Sequence, residues 1–144
     1  MAETVYVYRG PMPDTPQADV RWLAPSEYEV FARHLALCGQ KPLPREDWDT
    51  NEADGVTYCG LFEDGEMVAR AAVERYSEEY WEVSDVRTVK AYRNRGYADA
   101  VCRFVMRLIC ESGRTPTIRT EDDNAAMRRV IERLSFEPME SPRM

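Results

Sequence analysis

Apolar and polar residues alternate through the middle of the chain, and this pattern predicts three consecutive β-strands. The strand-like stretches are residues 56–62, 67–76 and 80–89. The first connection contains Asp64-Gly65, a pair that favours a two-residue hairpin because both central residues must adopt positive φ. The second connection is the polar turn at residues 77–79. The pattern therefore predicts an antiparallel meander.

Helical spacing of apolar residues replaces the alternation after the meander. The first helix starts near Ala98 and ends at Gly113, and its apolar face comprises Ala98, Val101, Cys102, Val105, Leu108 and Ile109. A short strand over 117–120 follows, and residues 122–124 supply caps for a second helix whose apolar positions are Met127, Val130, Ile131 and Leu134. The strand, helix and strand from 80 to 120 have the length of a parallel crossover, so we predict a mixed sheet.

The first third of the chain has a weaker pattern. Residues 4–8 and 19–23 have strand character, and prolines follow the first of them, which is typical of a short edge strand before an irregular connection. Ser26 with Glu29 three residues later predicts a capping box. The helix that it opens has an apolar face of Tyr28, Phe31, Leu35 and Cys38, and it ends at Gly39.

Two features of this third have alternative interpretations. His34 is not part of the apolar stripe formed by Tyr28, Phe31, Leu35 and Cys38, which predicts an ordinary exposed side chain. The alternative is a catalytic role, because histidine is the best general base near neutral pH. Residues 40–55 predict either a surface loop anchored by Trp48 or a short helix over 44–50. Such a segment could also serve as a lid on the substrate side.

Length and composition favour one domain over 1–144, with residues 1–18 as its edge strand and irregular N-terminal segment. The chain has 144 residues, 44% of them hydrophobic, which is enough for a buried core without disulfides. Its four scattered cysteines and single histidine predict free thiols and no metal site. The N-terminus does not resemble a signal peptide and no stretch is apolar enough to span a membrane, so we expect a cytoplasmic protein without membrane association.

The charge distribution points to an anionic ligand. The net charge of −7 argues against nucleic-acid binding. Residues 85–114 nevertheless carry seven basic and three acidic side chains, so this stretch is +4 and the remainder −11. A basic island in an acidic protein favours a small anionic ligand, although Arg103 and Arg107, at i and i+4, also fit a solvated helix face.

The stretch Val86 to Ala98 concentrates this chemistry, because a strand ends there, a basic loop follows and the longest helix begins. The first N–H groups of a helix lack intrahelical partners and carry partial positive charge, which suits an anion. Gly96 lets the backbone approach a ligand, and Arg93 and Arg95 add charge-assisted contacts. The repeated glycines of a P-loop or a Rossmann fingerprint are absent.

Residues 88–98, Thr-Val-Lys-Ala-Tyr-Arg-Asn-Arg-Gly-Tyr-Ala, resemble the Arg/Gln-x-x-Gly-x-Gly/Ala loop of the GNAT superfamily of N-acetyltransferases. Asn124 and the pair Ser135-Phe136 are similar to a second motif of that superfamily, in which Gly-Phe follows an Asn at the same spacing. The resemblance covers 56–136 and implies an α/β (α+β) fold. Its sheet would be mixed and mostly antiparallel, with helices on both faces and shortened C-terminal strands.

The resemblance also implies roles for individual residues. Acetyl-CoA would be the acetyl donor, with Val86 and Thr88 offering backbone hydrogen bonds beside a β-bulge and Asn124 reaching the pantetheine arm. The pyrophosphate would lie on the loop formed by Arg93, Asn94, Arg95, Gly96, Tyr97 and Ala98. Glu82 has the offset of the general-base glutamate of histone-type members; its alternative is a strand-edge charge beside Glu74, Glu78 and Glu79.

The chain departs from the superfamily pattern in three places. Ile131 stands where many members have the tyrosine that protonates the departing thiolate, so either Tyr97 or Tyr92 serves or the thiolate leaves unaided. Ser135 replaces the glycine of the second motif. The final strands are nearly missing after Phe136, and the tail over 136–144 has room for one short strand. Either a second subunit, as in a homodimer, completes that edge, or the N-terminal strand covers an edge elsewhere.

The expected function is an acetyl-CoA-dependent N-acetyltransferase that acts by direct attack in a ternary complex. Its acceptor would be an amine of a small molecule or a peptide, and the acidic surface favours a cationic one. One alternative is an acyl-CoA-binding or regulatory module with weak or no catalysis. Another is an interaction protein that binds no cofactor.

Overall fold

The computed structural model describes residues 2–139, which form a seven-stranded sheet and four α-helices. The strands are β1 (Glu3–Val7), β2 (Val20–Trp22), β3 (Val56–Glu63), β4 (Glu66–Glu74), β5 (Tyr80–Thr88), β6 (Thr115–Glu121) and β7 (Glu137–Pro138). The helices are α1 (Tyr28–Leu37), α2 (Arg45–Asp49), α3 (Tyr97–Glu111) and α4 (Ala125–Arg133), and a 3₁₀ turn covers Lys90–Tyr92. The short helix α2 is the one expected over 44–50.

The sheet has the mixed topology predicted from the sequence. Its strand order is β2-β3-β4-β5-β6-β1-β7, and every pairing is antiparallel except the parallel pairing of β5 with β6. The β3–β4 hairpin turns at Asp64 and Gly65, which have φ of 52° and 80° as the Asp-Gly pair predicts. The short strand expected after Phe136 is β7, while residues 140–144 of that predicted tail lie outside the described residues.

Helices cover both faces of the sheet, each over its own apolar cluster. Helices α3 and α4 pack on one face, where Val101, Val105 and Ile109 are fully buried. Helices α1 and α2 lie over the opposite face, where Phe31 and Trp48 are buried with Met67 of β4. The sheet is therefore buried on both sides at its centre.

The N-terminal strand lies inside the sheet, between β6 and β7. Strand β1 pairs antiparallel with β6 from Glu3↔Glu121 to Val7↔Thr117, and β7 pairs with its last two residues. Thr4 Oγ1 also donates a hydrogen bond to Asp122 at 2.6 Å. The sequence predicted that this segment is an edge strand, and that prediction is wrong. Strand β1 pairs with the free side of β6, and the two-residue β7 lies beyond it.

The predicted capping box at the start of α1 is wrong. The N-cap residue is Glu27, and no side chain caps the helix. The Glu27 carboxylate instead accepts a hydrogen bond from the Ala24 N–H at 2.9 Å and forms an ion pair with Arg21 at 2.8 Å. These contacts hold the loop before α1, so the chain enters the helix one residue later than a Ser26 cap requires. The predicted end of the helix at Gly39 is confirmed, since this residue follows α1 with φ of 69°.

The expectation of an exposed His34 is also wrong, because this side chain is fully buried. Its Nδ1–H donates to the Met67 carbonyl at 3.0 Å, and the Cys38 thiol lies 3.6 Å from Nε2. Burial lowers the pKa of His34 below its usual value, and the nearby Arg70 guanidinium adds to that effect. His34 is therefore a neutral core residue that ties α1 to β4.

We expect the stability of the protein to fall as the pH drops below about 6.5, the usual histidine pKa. The folded state resists protonation of His34, so the unfolded state binds the extra proton and the free energy of unfolding decreases by up to about 1.4 kcal/mol per pH unit. Urea denaturation between pH 5 and 8 measures this slope. His34→Gln should flatten it, since the chain has a single histidine; an unchanged slope would contradict the assignment.

The four cysteines are free thiols, as predicted, with Cys59 and Cys102 buried and Cys38 and Cys110 partly exposed. Burial raises the pKa of Cys59 to about 12, so this thiol stays protonated at neutral pH. Within residues 2–139, none of the helices combines the length and the apolar content needed to cross a membrane.

Candidate active site

A β-bulge opens the sheet near the end of β5. Ser84 pairs with Ala72 and Arg87 with Arg70, so two residues of β5, Asp85 and Val86, lie opposite one residue of β4. Asp85 has φ of 49°, in the left-handed region. The parallel pairing of β5 with β6 ends at Val83↔Ile118, so the two strands diverge beyond this point.

Side chains from two other segments hold the bulge. One Asp85 oxygen accepts from Arg70 at 2.9 Å and the other from the Tyr58 hydroxyl at 2.5 Å. Burial alone would raise the pKa of Asp85, but the hydrogen bonds from Arg70 and Tyr58 bring it below its usual value. This cluster could not be predicted from the sequence, because its members lie far apart along the chain.

The loop between β5 and α3 has the geometry of an anion cradle. Asn94 and Gly96 both adopt left-handed conformations, with φ of 66° and 78°, and they alternate with residues of negative φ. The N–H groups of residues 94–99 have no hydrogen-bond acceptor among residues 2–139. A Cβ built on Gly96 would meet no atom within 4 Å, so the space in front of this residue is open.

A cleft of about 400 Å³ lies between the end of β5, this loop and helix α4. Of the residues predicted to bind the cofactor, those that line the cleft are Val86, Thr88, Arg93, Asn94, Gly96, Tyr97, Ala98 and Asn124. The structure thus brings together two segments that are about thirty residues apart in the sequence. The apolar floor includes Met127 and Val130 of α4.

The lining is strongly basic. Arg87, Arg93 and Arg129 line the cleft, and none of them forms a salt bridge within the described residues. Arg133 also lines it, but its guanidinium is held by Asp99 in a bidentate pair at 2.8 and 2.9 Å. The prediction from the loop missed Arg129. It lies three residues after Ala126 and four before Arg133, which both line the cleft, and this helical spacing is the feature that could have revealed it.

Two predicted residues direct their side chains elsewhere. The Arg95 guanidinium lies 3.6 Å from the Glu63 carboxylate and stacks over the Tyr92 ring, and Arg95 does not line the cleft. The Tyr97 hydroxyl donates a hydrogen bond to Glu63, and this bond raises the pKa of Tyr97 above its usual value. Both side chains fasten the loop to the end of β3, so their backbone groups are what they can offer a ligand.

Asn124 caps α4, as the sequence predicts. Its Oδ1 accepts from the Met127 N–H at 3.1 Å, which satisfies one of the free N–H groups of the helix. The side-chain amide group remains for a ligand in the cleft. Asn124 therefore has a structural role that is independent of the cofactor role implied by its motif.

We expect Asn124→Ala to lower the free energy of unfolding by about 1 kcal/mol, the usual cost of losing a cap. Asn124→Ser should recover most of this loss, because a hydroxyl can accept from the same N–H group. Urea denaturation of the two variants measures the difference. Equal destabilisation by serine and alanine would show that the cap hydrogen bond contributes little.

Glu82 lies outside the cleft lining, at the closed end of the gap between β5 and β6. It is 6% exposed and lies on an interior strand of the sheet, where it pairs with Glu74 of β4. Arg119 donates to its Oε1 at 2.8 Å, while Oε2 has no protein hydrogen bond within residues 2–139. Burial raises the pKa of Glu82 more than the Arg119 guanidinium lowers it. This is the environment of a carboxylate that accepts a proton readily.

Neither departure from the second motif disturbs the end of α4. Ile131 is buried in the core, 2% exposed, and brings no hydroxyl to the cleft. Ser135 adopts φ of 66°, so it keeps the left-handed helix end that a glycine would supply, and the Phe136 N–H donates to the Ile131 carbonyl at 3.1 Å.

Comparison with known proteins places these features in context. The family described as FR47-like protein matches residues 58–143. No curated protein matches the chain. A GNAT-family protein from Novosphingobium aromaticivorans has a similar structure, with a TM-score of 0.78, 22% identity and coverage of 95% of this chain and 59% of its own.

Two other solved structures are similar over most of both chains. One is AAC(6')-Iy in complex with the bisubstrate analogue CoA-S-monomethyl-acetylneamine, with a TM-score of 0.72, 18% identity and coverage of 89% of this chain and 96% of its own. The other is ribosomal-protein-alanine N-acetyltransferase from Brucella melitensis, with a TM-score of 0.70, 17% identity and coverage of 88% and 97%. At these identities the likeness establishes the fold. The chain spans little more than half of the Novosphingobium protein.

Proposed function

The chain belongs to the FR47-like family of the GNAT superfamily, and on that premise we propose that it transfers the acetyl group of acetyl-CoA to an amine. The observation that carries this proposal is the cleft beside the bulge of β5, where unpaired N–H groups, open space at Gly96 and the guanidinium groups of Arg87, Arg93 and Arg129, which form no salt bridge within residues 2–139, come together. A diphosphate needs this combination of donors and positive charge. The AAC(6')-Iy complex, whose fold is similar, contains a CoA-based ligand.

Different residues of the cleft would bind different parts of acetyl-CoA. The N–H groups of 94–99 and the start of α3 would hold the diphosphate, with Arg93 adding charge-assisted contacts. Val86 and Thr88, beyond the point where β5 leaves β6, would offer backbone groups to the acetyl and pantetheine part. Acetyl-CoA supplies a thioester: the amine forms a bond to the acetyl carbon, the C–S bond breaks, and CoA leaves as a thiolate that takes a proton from water.

Glu82 is the residue we propose as general base. An amine attacks only in its neutral form, and at neutral pH most alkylamines are ammonium ions, so a carboxylate must take a proton directly or through water. Oε2 of Glu82 makes no hydrogen bond within residues 2–139 and is available to accept this proton, and Arg119 holds the carboxylate through Oε1. Its raised pKa brings its basicity closer to neutrality.

Neither Ile131 nor Tyr97 is ready to protonate the CoA thiolate. Ile131 has no proton to give, and the Tyr97 hydroxyl, although its residue lines the cleft, donates to Glu63. Tyr97 can protonate the thiolate only after leaving Glu63. A CoA thiol is acidic enough for the thiolate to leave without a general acid, and this is the route the geometry favours.

Titration calorimetry with CoA, followed by assay of thiol release from acetyl-CoA with small amines and unblocked peptides, tests the proposal. Binding with turnover supports it. Binding without turnover on any amine would instead support the second candidate, an acyl-CoA-binding module, which the buried Ile131 favours. Absence of CoA binding would refute both.

A further inference from the structure

A second cavity, of about 150 Å³, lies beside α2 and the start of β3, on the face of the sheet opposite α3. Its walls include the rings of Trp48 and Tyr58, with Leu23 and Val56 beside them. Asp49 and Glu52 also line it, and no basic residue does. This combination of aromatic surface and carboxylates suits a side chain with an aliphatic stem and a cationic head.

An unpaired donor in the same wall points to a second feature of the ligand. The Nδ2 group of Asn51 is shielded from solvent and has no hydrogen-bond partner in the described part of the chain. The backbone around it is firmly held, since the Asn51 carbonyl accepts from the Val56 N–H at 2.8 Å. A buried N–H group needs an acceptor, such as the carbonyl of a peptide bond; an alkyl polyamine has none.

A row of side chains joins this cavity to Glu82. Val56 lines the cavity and pairs directly with Glu74 on β4, Glu74 pairs with Glu82 on β5, and Glu82 pairs with Thr117 on β6. Directly paired residues place their side chains on the same face of a sheet. Two strand spacings separate Val56 from Glu82, a distance of about 10 Å. An extended peptide covers it with about three residues.

We propose that the acceptor is the amino terminus of a peptide that crosses this row, with its reacting amine at Glu82 and a basic side chain about three residues later in the cavity. Glu74 then lies under the peptide and Asp49 and Glu52 bind the basic head group. The Asn51 amide donates to a peptide carbonyl. This inference rests on the proposed function, because it names the acceptor of the same reaction.

The test uses saturating acetyl-CoA and a set of short unblocked peptides of neutral sequence in which one lysine is moved along the chain. We expect kcat/KM for thiol release to peak when the lysine is about three residues from the amino terminus, about tenfold above the peptide with glutamine there. The double variant Asp49→Asn with Glu52→Gln should remove this peak, so that the lysine and glutamine peptides react with similar kcat/KM.

The matched control is Glu46→Gln with Asp54→Asn, which removes two acidic charges from the same region outside the cavity lining. It should keep the peak. Three results would overturn the inference while leaving acetyl transfer established. They are a kcat/KM that does not depend on the position of the lysine, an equal response to both double variants, and a kcat/KM for linear diamines above that of every peptide. Failure of every amine and peptide to react would overturn the proposed function as well.

Discussion

Replacing Gly96 with glutamate is expected to weaken CoA binding by at least about a hundredfold, or about 3 kcal/mol. Gly96 has φ of 78° and ends the loop just before α3, with open space where a Cβ would stand. A glutamate side chain would enter that space and place a negative charge where the diphosphate should bind. Titration calorimetry with CoA measures the loss.

Gly113→Glu is the matched control for this variant. Gly113 has φ of 75° and equally open surroundings, so both substitutions impose the same backbone strain of about 1–2 kcal/mol. Gly113 lies past the other end of α3, about 25 Å along the helix axis. Its variant should lose stability but keep CoA affinity. If Gly96→Glu bound CoA as tightly as Gly113→Glu, the loop could not be the diphosphate site.

Features that depend on neighbouring residues could be predicted from the sequence. The Asp64-Gly65 turn, the Asn124 cap and the helix end at Gly39 each follow from the conformational preferences of one or two residues. The cofactor loop belongs to this class, because the β5–loop–α3 segment is continuous. The mixed sheet around this loop was predicted from the length of the strand, helix and strand over 80–120, which suits a parallel crossover.

Long-range contacts could not be predicted in the same way. The resemblance implied a bulge beside Val86, but the contacts of Asp85 with Arg70 and Tyr58 require the finished sheet and could not be predicted. Strand β1 adds to β6 over a separation of more than a hundred residues, and its local sequence says only that it is a strand. The acceptor side of the site depends on such contacts, which is why the sequence identified the donor and left the acceptor open.

His34 shows a different kind of error. It lies three residues after Phe31 and four before Cys38, so helical spacing does place it on the buried face. The prediction failed because the residue was counted as polar, although a neutral imidazole with a hydrogen-bond acceptor can be buried. The Met67 carbonyl that makes this burial favourable belongs to a strand 33 residues later.

Glu82→Gln is expected to lower kcat about a hundred- to a thousandfold, the usual contribution of a general base. The KM for acetyl-CoA should stay unchanged, because Glu82 does not line the cleft. The amide keeps an oxygen for Arg119, which also lies 3.7 Å from Glu3, so the variant should fold. Because burial raises the pKa of Glu82, its ionisation lowers the free energy of unfolding as the pH rises. The neutral amide of Glu82→Gln avoids this loss.

The pH profile separates a base from a merely structural carboxylate. In the unmodified protein kcat should rise with pH as Glu82 loses its proton, at a pH above the ordinary range for glutamate, and this limb should vanish in Glu82→Gln. Glu3→Gln is the control, because it removes the other carboxylate near Arg119 from an exposed position. It should keep both the rate and the limb. If Glu82→Gln retained kcat within a few fold, another group would have to accept the proton of the amine.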